Sequence, residues 1–176
     1  MQKELVLLSV PHTGTNVLRR IFTDHGYEMR FVNDAPETEQ NYYFAHTTNL
    51  ADVQRGLQLA KRMPIVCPMR HPFRVEESWR RRQKDLSHGF WDAWHHLRTM
   101  VIPAGCFVMP VDVPDRDEHL GRLGDLLGVR LTTDWPLCRS RAGTHDLPLS
   151  ETNPSPEVRN MASELGWLLD RYYVGC

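Results

Sequence analysis

The chain has 176 residues, of which 41% are hydrophobic and 24% charged, a length at which one domain with an ordinary buried core is expected. Lysine and arginine number 21 against 22 aspartate and glutamate residues, so the formal net charge is −1. This balance argues against a general nucleic-acid or membrane-surface binder, for which a basic excess is typical. No segment approaches the roughly 18 apolar residues of a membrane-spanning helix. The first apolar stretch is too short for a signal peptide, so a cytoplasmic protein is predicted.

Short apolar segments alternate with amphipathic segments along the chain, as is typical of an α/β protein. Strands are predicted over residues 4–10, 42–45, 64–69 and 106–111. Helices are predicted over about 16–25, after a cap at Thr48 or Asn49, from Pro72, around 91–97, over 119–127 and after a cap at Ser155. Residues 27–41 and 132–154 are predicted to be irregular. We therefore expect a single domain over residues 1–176 with three layers, in which helices flank a mainly parallel sheet of about four to five strands.

The cysteines and histidines do not form a recognisable metal or disulfide pattern. The four cysteines are widely separated, and a disulfide framework is uncommon in a domain of this size. The nine histidines include no zinc-binding spacing, so no metal site is predicted. Arginine is far more frequent than lysine, which reflects either genomic base composition or a use of guanidinium groups to bind oxyanions.

The segment between the first strand and its helix has the composition of a phosphate-binding turn. Ligands of open α/β sheets bind at the carboxyl ends of the strands. Here Gly14 allows a close approach of the backbone, and His12, Thr13, Thr15 and Asn16 surround it with polar side chains. The second glycine and the lysine of a Walker A loop are missing. An ordinary polar turn remains the alternative interpretation.

Two more groups of polar residues follow predicted strands. Arg70 comes after the third strand, and Ser78 lies two turns into the next helix, although an exposed basic helix face is the simpler interpretation. A thiol phosphatase loop is excluded, because the arginine position counted from Cys67 is occupied by Phe73. His46 follows the second strand, where it is either structural or a candidate general base.

Together these residues resemble the sulfotransferases that use 3′-phosphoadenosine 5′-phosphosulfate (PAPS), over roughly residues 4–145. That family has a P-loop NTPase-like fold and a first loop of the type Pro-Lys-Ser/Thr-Gly-Thr-Thr, which is similar to residues 11–16. Its second motif, Arg-x-Pro with a serine eight residues after the arginine, resembles Arg70, Pro72 and Ser78. Cytosolic members carry a catalytic histidine after the second strand, and His46 lies at the corresponding place here.

The resemblance implies a transferase that moves a sulfuryl group from PAPS to a hydroxyl or amine and releases adenosine 3′,5′-bisphosphate, without a metal. It places the 5′-phosphosulfate at residues 12–16 and the 3′-phosphate at Arg70 and Ser78. Arg139 and Arg141 resemble the basic loop that closes over the nucleotide. His12 replaces the family's lysine. An imidazole titrates at about pH 6.5, and it stabilises the leaving group best when it is protonated.

Two other functions remain open. One is a P-loop nucleotide or small-molecule kinase, and the other is a catalytically inactive module that binds a phospho-nucleotide. The acceptor is expected to be a small molecule or glycan, and neither its identity nor the oligomeric state is predicted. Glu76 and Glu77 are expected to be solvated, and no role is assigned to Asp112. The tryptophans are interpreted as core residues rather than as an acceptor site: Trp79, Trp91 and Trp94.

Overall fold

Parallel strands form the centre of the fold. The computed structural model describes residues 4–34, 42–82, 86, 89–134 and 148–173. The strands are β1 (Leu5–Ser9), β2 (Arg30–Phe31), β3 (Tyr42–His46), β4 (Ile65–Met69) and β5 (Cys106–Pro110). They are hydrogen-bonded in the order β2-β3-β1-β4-β5, and every neighbouring pair is parallel.

Helices connect the strands at the predicted places. The helices are α1 (Thr15–Asp24), α2 (Leu50–Leu59), α3 (Pro72–Arg81), α4 (Gly89–His96), α5 (Arg116–Leu127), α6 (Pro156–Glu164) and α7 (Gly166–Leu169). A π-helical segment, Leu97–Val101, extends α4. Two predicted caps are confirmed: the side chain of Asn49 accepts from the Ala51 amide, and that of Ser155 from the Val158 amide. None of the helices over the described residues has the length and apolar content to cross a bilayer.

Two hydrophobic cores pack on opposite faces of the sheet. Because successive side chains of a strand point to opposite faces, Leu5 and Leu7 contribute to one core and Val6 and Leu8 to the other. The Leu5 face is covered by α1 and α5, and the Val6 face by α2, α3, α4, α6 and α7. The predicted three-layer α/β architecture is confirmed and is consistent with a P-loop-like fold.

The centre of the sheet contains a topological switch point. From β1 the chain passes through α1 to β2 on one side, whereas from β4 it passes through α3 and α4 to β5 on the other side. The pairing of β1 with β4 stops at Leu7 and Val66, before the carboxyl ends of both strands. Pro68, the residue before the last one of β4, has no N–H that could extend the pairing with β1. A crevice at such a point is the usual place for a ligand in this architecture.

The predicted strands differ from the observed ones mainly at β2. Residues 27–41 were expected to be irregular, but Arg30 and Phe31 pair with Tyr43 and Phe44 of β3. A strand of two residues is too short to show an alternating pattern, so the sequence gives no signal for it.

Candidate functional site

The turn between β1 and α1 has an unusual backbone. Both His12 and Gly14 have positive φ values, 71° and 101°. A Cβ added at Gly14 would lie 2.7 Å from Cγ2 of Val111, so only glycine fits between this turn and the end of β5. The buried hydroxyl of Thr13 donates to the carbonyl oxygen of Val10 at 2.6 Å, which closes the turn. The turn therefore presents the first N–H groups of α1, which have no partner within the helix, at the switch point.

His12 joins this turn to the second motif. Its Nδ1 lies 2.9 Å from Oγ of Ser78, and its ring stacks on Trp79 with the ring centroids 5.0 Å apart. Trp79 is buried and packs edge-on against Phe90, so α3 and α4 fix the position of the imidazole. Two segments 66 residues apart in the chain, each singled out by sequence, are thus in direct contact.

Asp112, just after β5, organises the arginines at the end of β4. Its Oδ2 accepts from Nη1 of Arg74 at 2.9 Å and lies 3.8 Å from Nε of Arg70. Its Oδ1 accepts from the hydroxyl of Tyr173 at 2.6 Å. Burial lowers the pKa of Arg70, and the charge of Asp112 opposes that shift. Burial also raises the pKa of Tyr173 well above its usual value, so the phenol stays protonated and donates to the carboxylate.

His71 is the residue before α3 and lies beside Asp112 and Tyr173. Its Nδ1 accepts from the Phe73 amide at 3.3 Å, and its ring packs edge-on against Phe73 and Tyr173. Burial lowers the pKa of His71 to about 4, because the effect of burial is larger than the opposite effect of the nearby Asp112 carboxylate. The ring is therefore neutral near neutral pH and acts as a cap of α3.

His46 ends β3 on the other side of the turn. In the register of β1 with β3 it is paired with Ser9, and its Nδ1 lies 3.3 Å from the hydroxyl of Ser9. That hydroxyl also accepts from the hydroxyl of Thr15 at 2.7 Å. Next to it, the carbonyl oxygen of Thr47 accepts from Nδ1 of His96 at 2.7 Å, which ties α4 to this edge of the sheet. A candidate base thus lies beside the first residue of α1.

The structure brings most of the candidate residues to one edge. Residues 12–16 form the turn and the first residues of α1, Ser78 contacts His12, and His46 contacts Ser9, which accepts from Thr15. Arg70 follows β4, the strand next to β1 in the sheet. Arg139 and Arg141 lie outside the described residues. Over the described ranges, no group of three or more His, Cys, Asp or Glu side chains could hold a metal ion.

One expectation about the acidic residues is wrong. Glu76 was expected to be solvated, but it is 1% exposed. Its Oε1 accepts from Arg80 and its Oε2 from the backbone amide of Ser155 at 2.9 Å. The side chain therefore links α3 to the start of α6, a contact that cannot be seen from the spacing on α3 alone. The interpretation of Trp79 and Trp94 as core residues is confirmed.

Sequence reasoning missed Ser9 and Asp112. Ser9 reads as part of an apolar strand, and Asp112 follows the fourth predicted strand without a motif that assigns it a role. Only their places at the carboxyl ends of strands hint at the contacts that they make. Comparison of the chain with protein-family models, with curated proteins and with solved structures gives no match.

Proposed function

We propose that the chain is a PAPS-dependent sulfotransferase, a nucleotide-binding enzyme that transfers a sulfuryl group to a hydroxyl or amine and releases adenosine 3′,5′-bisphosphate. The contact of 2.9 Å between His12 Nδ1 and Ser78 Oγ carries this proposal. A nucleotide with anionic groups at both its 3′ and 5′ positions needs two binding segments side by side. This contact joins the two segments that resemble those of the family.

The turn around Gly14 would hold the 5′-phosphosulfate. The ten-residue helix α1 offers unpaired N–H groups and the positive end of its dipole to an anion. His12, held between Ser78 and Trp79, would donate to the bridging oxygen when protonated and so stabilise the negative charge that grows there.

Arg70 and Ser78 would hold the 3′-phosphate. The side chain of Arg70 is 9% exposed, and its guanidinium is oriented by Asp112, which lowers the entropy cost of ordering it around a phosphate. The charge of Asp112 also repels an anion, so the strength of the site depends on the balance between Asp112 and the two neighbouring arginines.

His46 would act as the general base. A histidine at the carboxyl end of β3, one strand away from the turn, can take the proton of the acceptor as its oxygen or nitrogen attacks sulfur. The proposed acceptor is a small molecule or glycan, without a nucleic-acid or membrane partner, in a cytoplasmic protein.

Calorimetry with three ligands tests the proposal: adenosine 3′,5′-bisphosphate, AMP and ATP with Mg²⁺. We expect the bisphosphate to bind more tightly than AMP, because only it reaches both segments. Preferential binding of ATP with Mg²⁺ would instead support a kinase. Tight bisphosphate binding without turnover of PAPS on any acceptor screened would indicate an inactive binding module.

Arg70→Ala tests the assignment of the 3′-phosphate. We expect it to weaken binding of the bisphosphate by about 1.5–3 kcal/mol, the range for hydrogen bonds to charged groups, and to leave AMP binding nearly unchanged. Arg122→Ala, which removes an exposed arginine paired with Glu118 on α5, is the matched control. An equal loss for both ligands would remove the assignment.

A further inference from the structure

A cavity of about 380 Å³ lies between α4 and α6, on the Val6 side of the sheet. Its size is within the usual range of small-molecule sites, which is roughly 300–1,000 Å³. The α4 side contributes residues 91, 94, 95 and 98, and α6 contributes residues 157, 160, 161 and 164. Because residues three and four apart are neighbours on a helix surface, each side lines the cavity with a single face.

One wall of the cavity is aromatic and aliphatic. Trp94 and Leu165 are buried in the core, and both line the cavity. Trp91 and Met161 are partly buried and pack against that core. The ring of Trp91 lies edge-on to the fully buried Phe90, with the ring centroids 5.0 Å apart. The core therefore holds the indole of Trp91 in place, and the wall suits the apolar body of a small molecule.

The charged side chains around the cavity favour a cation. Arg98 forms an ion pair with Glu164, which joins the two helices and neutralises both groups. Glu157, two helical turns before Glu164, is exposed and has no ion-pair partner within the part of the chain that the structure describes. Its carboxylate attracts a cation and repels an anion. His95 also lines the cavity, so this balance of charge applies where its imidazole is neutral.

The π-helical segment Leu97–Val101 begins at the same place. The amide of Ile102 donates to the carbonyl oxygen of Leu97 at 3.0 Å, so this hydrogen bond spans five residues instead of four. Such segments are rare and are frequent at functional sites. Arg98, which forms the ion pair with α6, lies within this segment. The irregular turn is therefore a second sign of a functional site at the cavity.

We propose that this cavity binds a small organic ammonium ion with an apolar body. The ammonium group lies near the carboxylate of Glu157 and against the indole of Trp91, because a cation is attracted to the face of an aromatic ring. The apolar body contacts the wall formed by Trp94, Met161 and Leu165. The proposal is independent of the proposed function, since no residue of the candidate site lines this cavity.

Titrations with three molecules that share a phenyl ring test the proposal: 2-phenylethylamine, 2-phenylethanol and 3-phenylpropanoate. At about pH 8 the amine is a cation, the alcohol is neutral and the carboxylate is an anion, while an ordinary imidazole is neutral. Binding is followed by NMR through the indole N–H signals, and Trp91→Phe assigns the signal of Trp91. We expect the amine to bind about 3–30-fold more tightly than the alcohol, the combined effect of a cation–π contact and an exposed ion pair. The carboxylate should bind most weakly.

Two variants separate the contributions of the carboxylate and the indole. Glu157→Gln should weaken amine binding by about 2–5-fold, the effect of one exposed ion pair, and leave alcohol binding unchanged. Its control is Glu118→Gln, in the first turn of α5 and outside the cavity. Trp91→Leu keeps an apolar wall without an aromatic face, so the preference for the amine over the alcohol should fall by about 2–5-fold. Its control is Trp167→Leu, at an exposed tryptophan of α7.

Any other pattern of affinities contradicts the proposal. Equal binding of the three molecules would mean that the cavity selects for apolar area alone, and tighter binding of the carboxylate would mean that Arg98 receives an anion. A preference for the amine that persists in Glu157→Gln, a change at an exposed residue, would assign it to another place on the protein. Absence of binding, or shifts only at other tryptophans, would leave the cavity as a gap in packing. The proposed function stands in all these cases, because bisphosphate binding is measured separately.

Discussion

Replacing Asp112 by asparagine removes the charge that holds Arg70 and Arg74 together at the end of β4. The side chains of Asp112 and Arg74 are 7% and 10% exposed, so the pair lies almost entirely out of water. In Asp112→Asn the side chain keeps its shape, but an amide replaces an anion beside two buried cations. The variant therefore isolates the role of the charge.

The expected cost follows from the burial of this pair. Removing one partner of a buried ion pair costs about 3–5 kcal/mol, because the other charge stays buried without compensation. Tyr173→Phe removes one hydrogen bond to the same carboxylate and should cost about 1.5–3 kcal/mol. Asp24→Asn breaks an exposed pair with Arg20 and should cost less than about 1 kcal/mol.

Urea unfolding followed by circular dichroism measures all three variants. Since the stability of a typical domain is about 5–15 kcal/mol, the variants should still fold, and their free energies of unfolding can be compared directly. We expect Asp112→Asn to lose most, Tyr173→Phe an intermediate amount and Asp24→Asn least. A loss for Asp112→Asn no larger than that for Asp24→Asn would refute the role assigned to this carboxylate.

Three further variants test the cap of α3, the turn and the base. Burial lowers the pKa of His71 to about 4, so the stabilisation from its neutral ring is complete above about pH 6.5 and is lost as the pH falls toward 4. At 1.36 kcal/mol per pKa unit this loss amounts to about 3 kcal/mol. Urea unfolding at several pH values should show the loss in the wild type but not in His71→Asn. Gly14→Ala should lower the free energy of unfolding by about 1–3 kcal/mol more than Gly105→Ala. Both residues have a positive φ, but only the Cβ added at Gly14 would clash with another side chain. Equal losses in the two variants would argue against a tight turn. His46→Ala should lower the turnover of PAPS by about 10²–10⁴-fold and leave bisphosphate affinity nearly unchanged in calorimetry, whereas full activity would disqualify it as the base.

The architecture could be predicted because local patterns determine it. The four longer strands are short apolar segments, and their order along the chain with helices between them implies a parallel sheet. Asn49 and Ser155 were recognisable as caps because their side chains bond to amides two or three residues away. By contrast, β2 depends on pairing with β3 and has no pattern of its own.

The candidate site could be predicted only where spacing along the chain carries the information. The turn at Gly14 and the pair Arg70 and Ser78 were found in this way. Ser9 and Asp112 were not. Ser9 meets His46 through the register of the sheet, and the partners of Asp112 lie after β4, in α3 and near residue 173. Glu76 was misjudged for the same reason, since its burial depends on a segment about 80 residues further along the chain.

The hydrogen bond from Tyr173 to Asp112 has a consequence for biosynthesis. Chains emerge from the ribosome at about 5–20 residues per second, and their amino-terminal parts can begin to fold first. All five strands have been made by residue 110, yet Asp112 lacks its phenol partner until residue 173 has been added. The apolar residues that α6 and α7 cover are likewise exposed on the nascent chain during that interval. The set of contacts around Asp112 is therefore complete only late in translation.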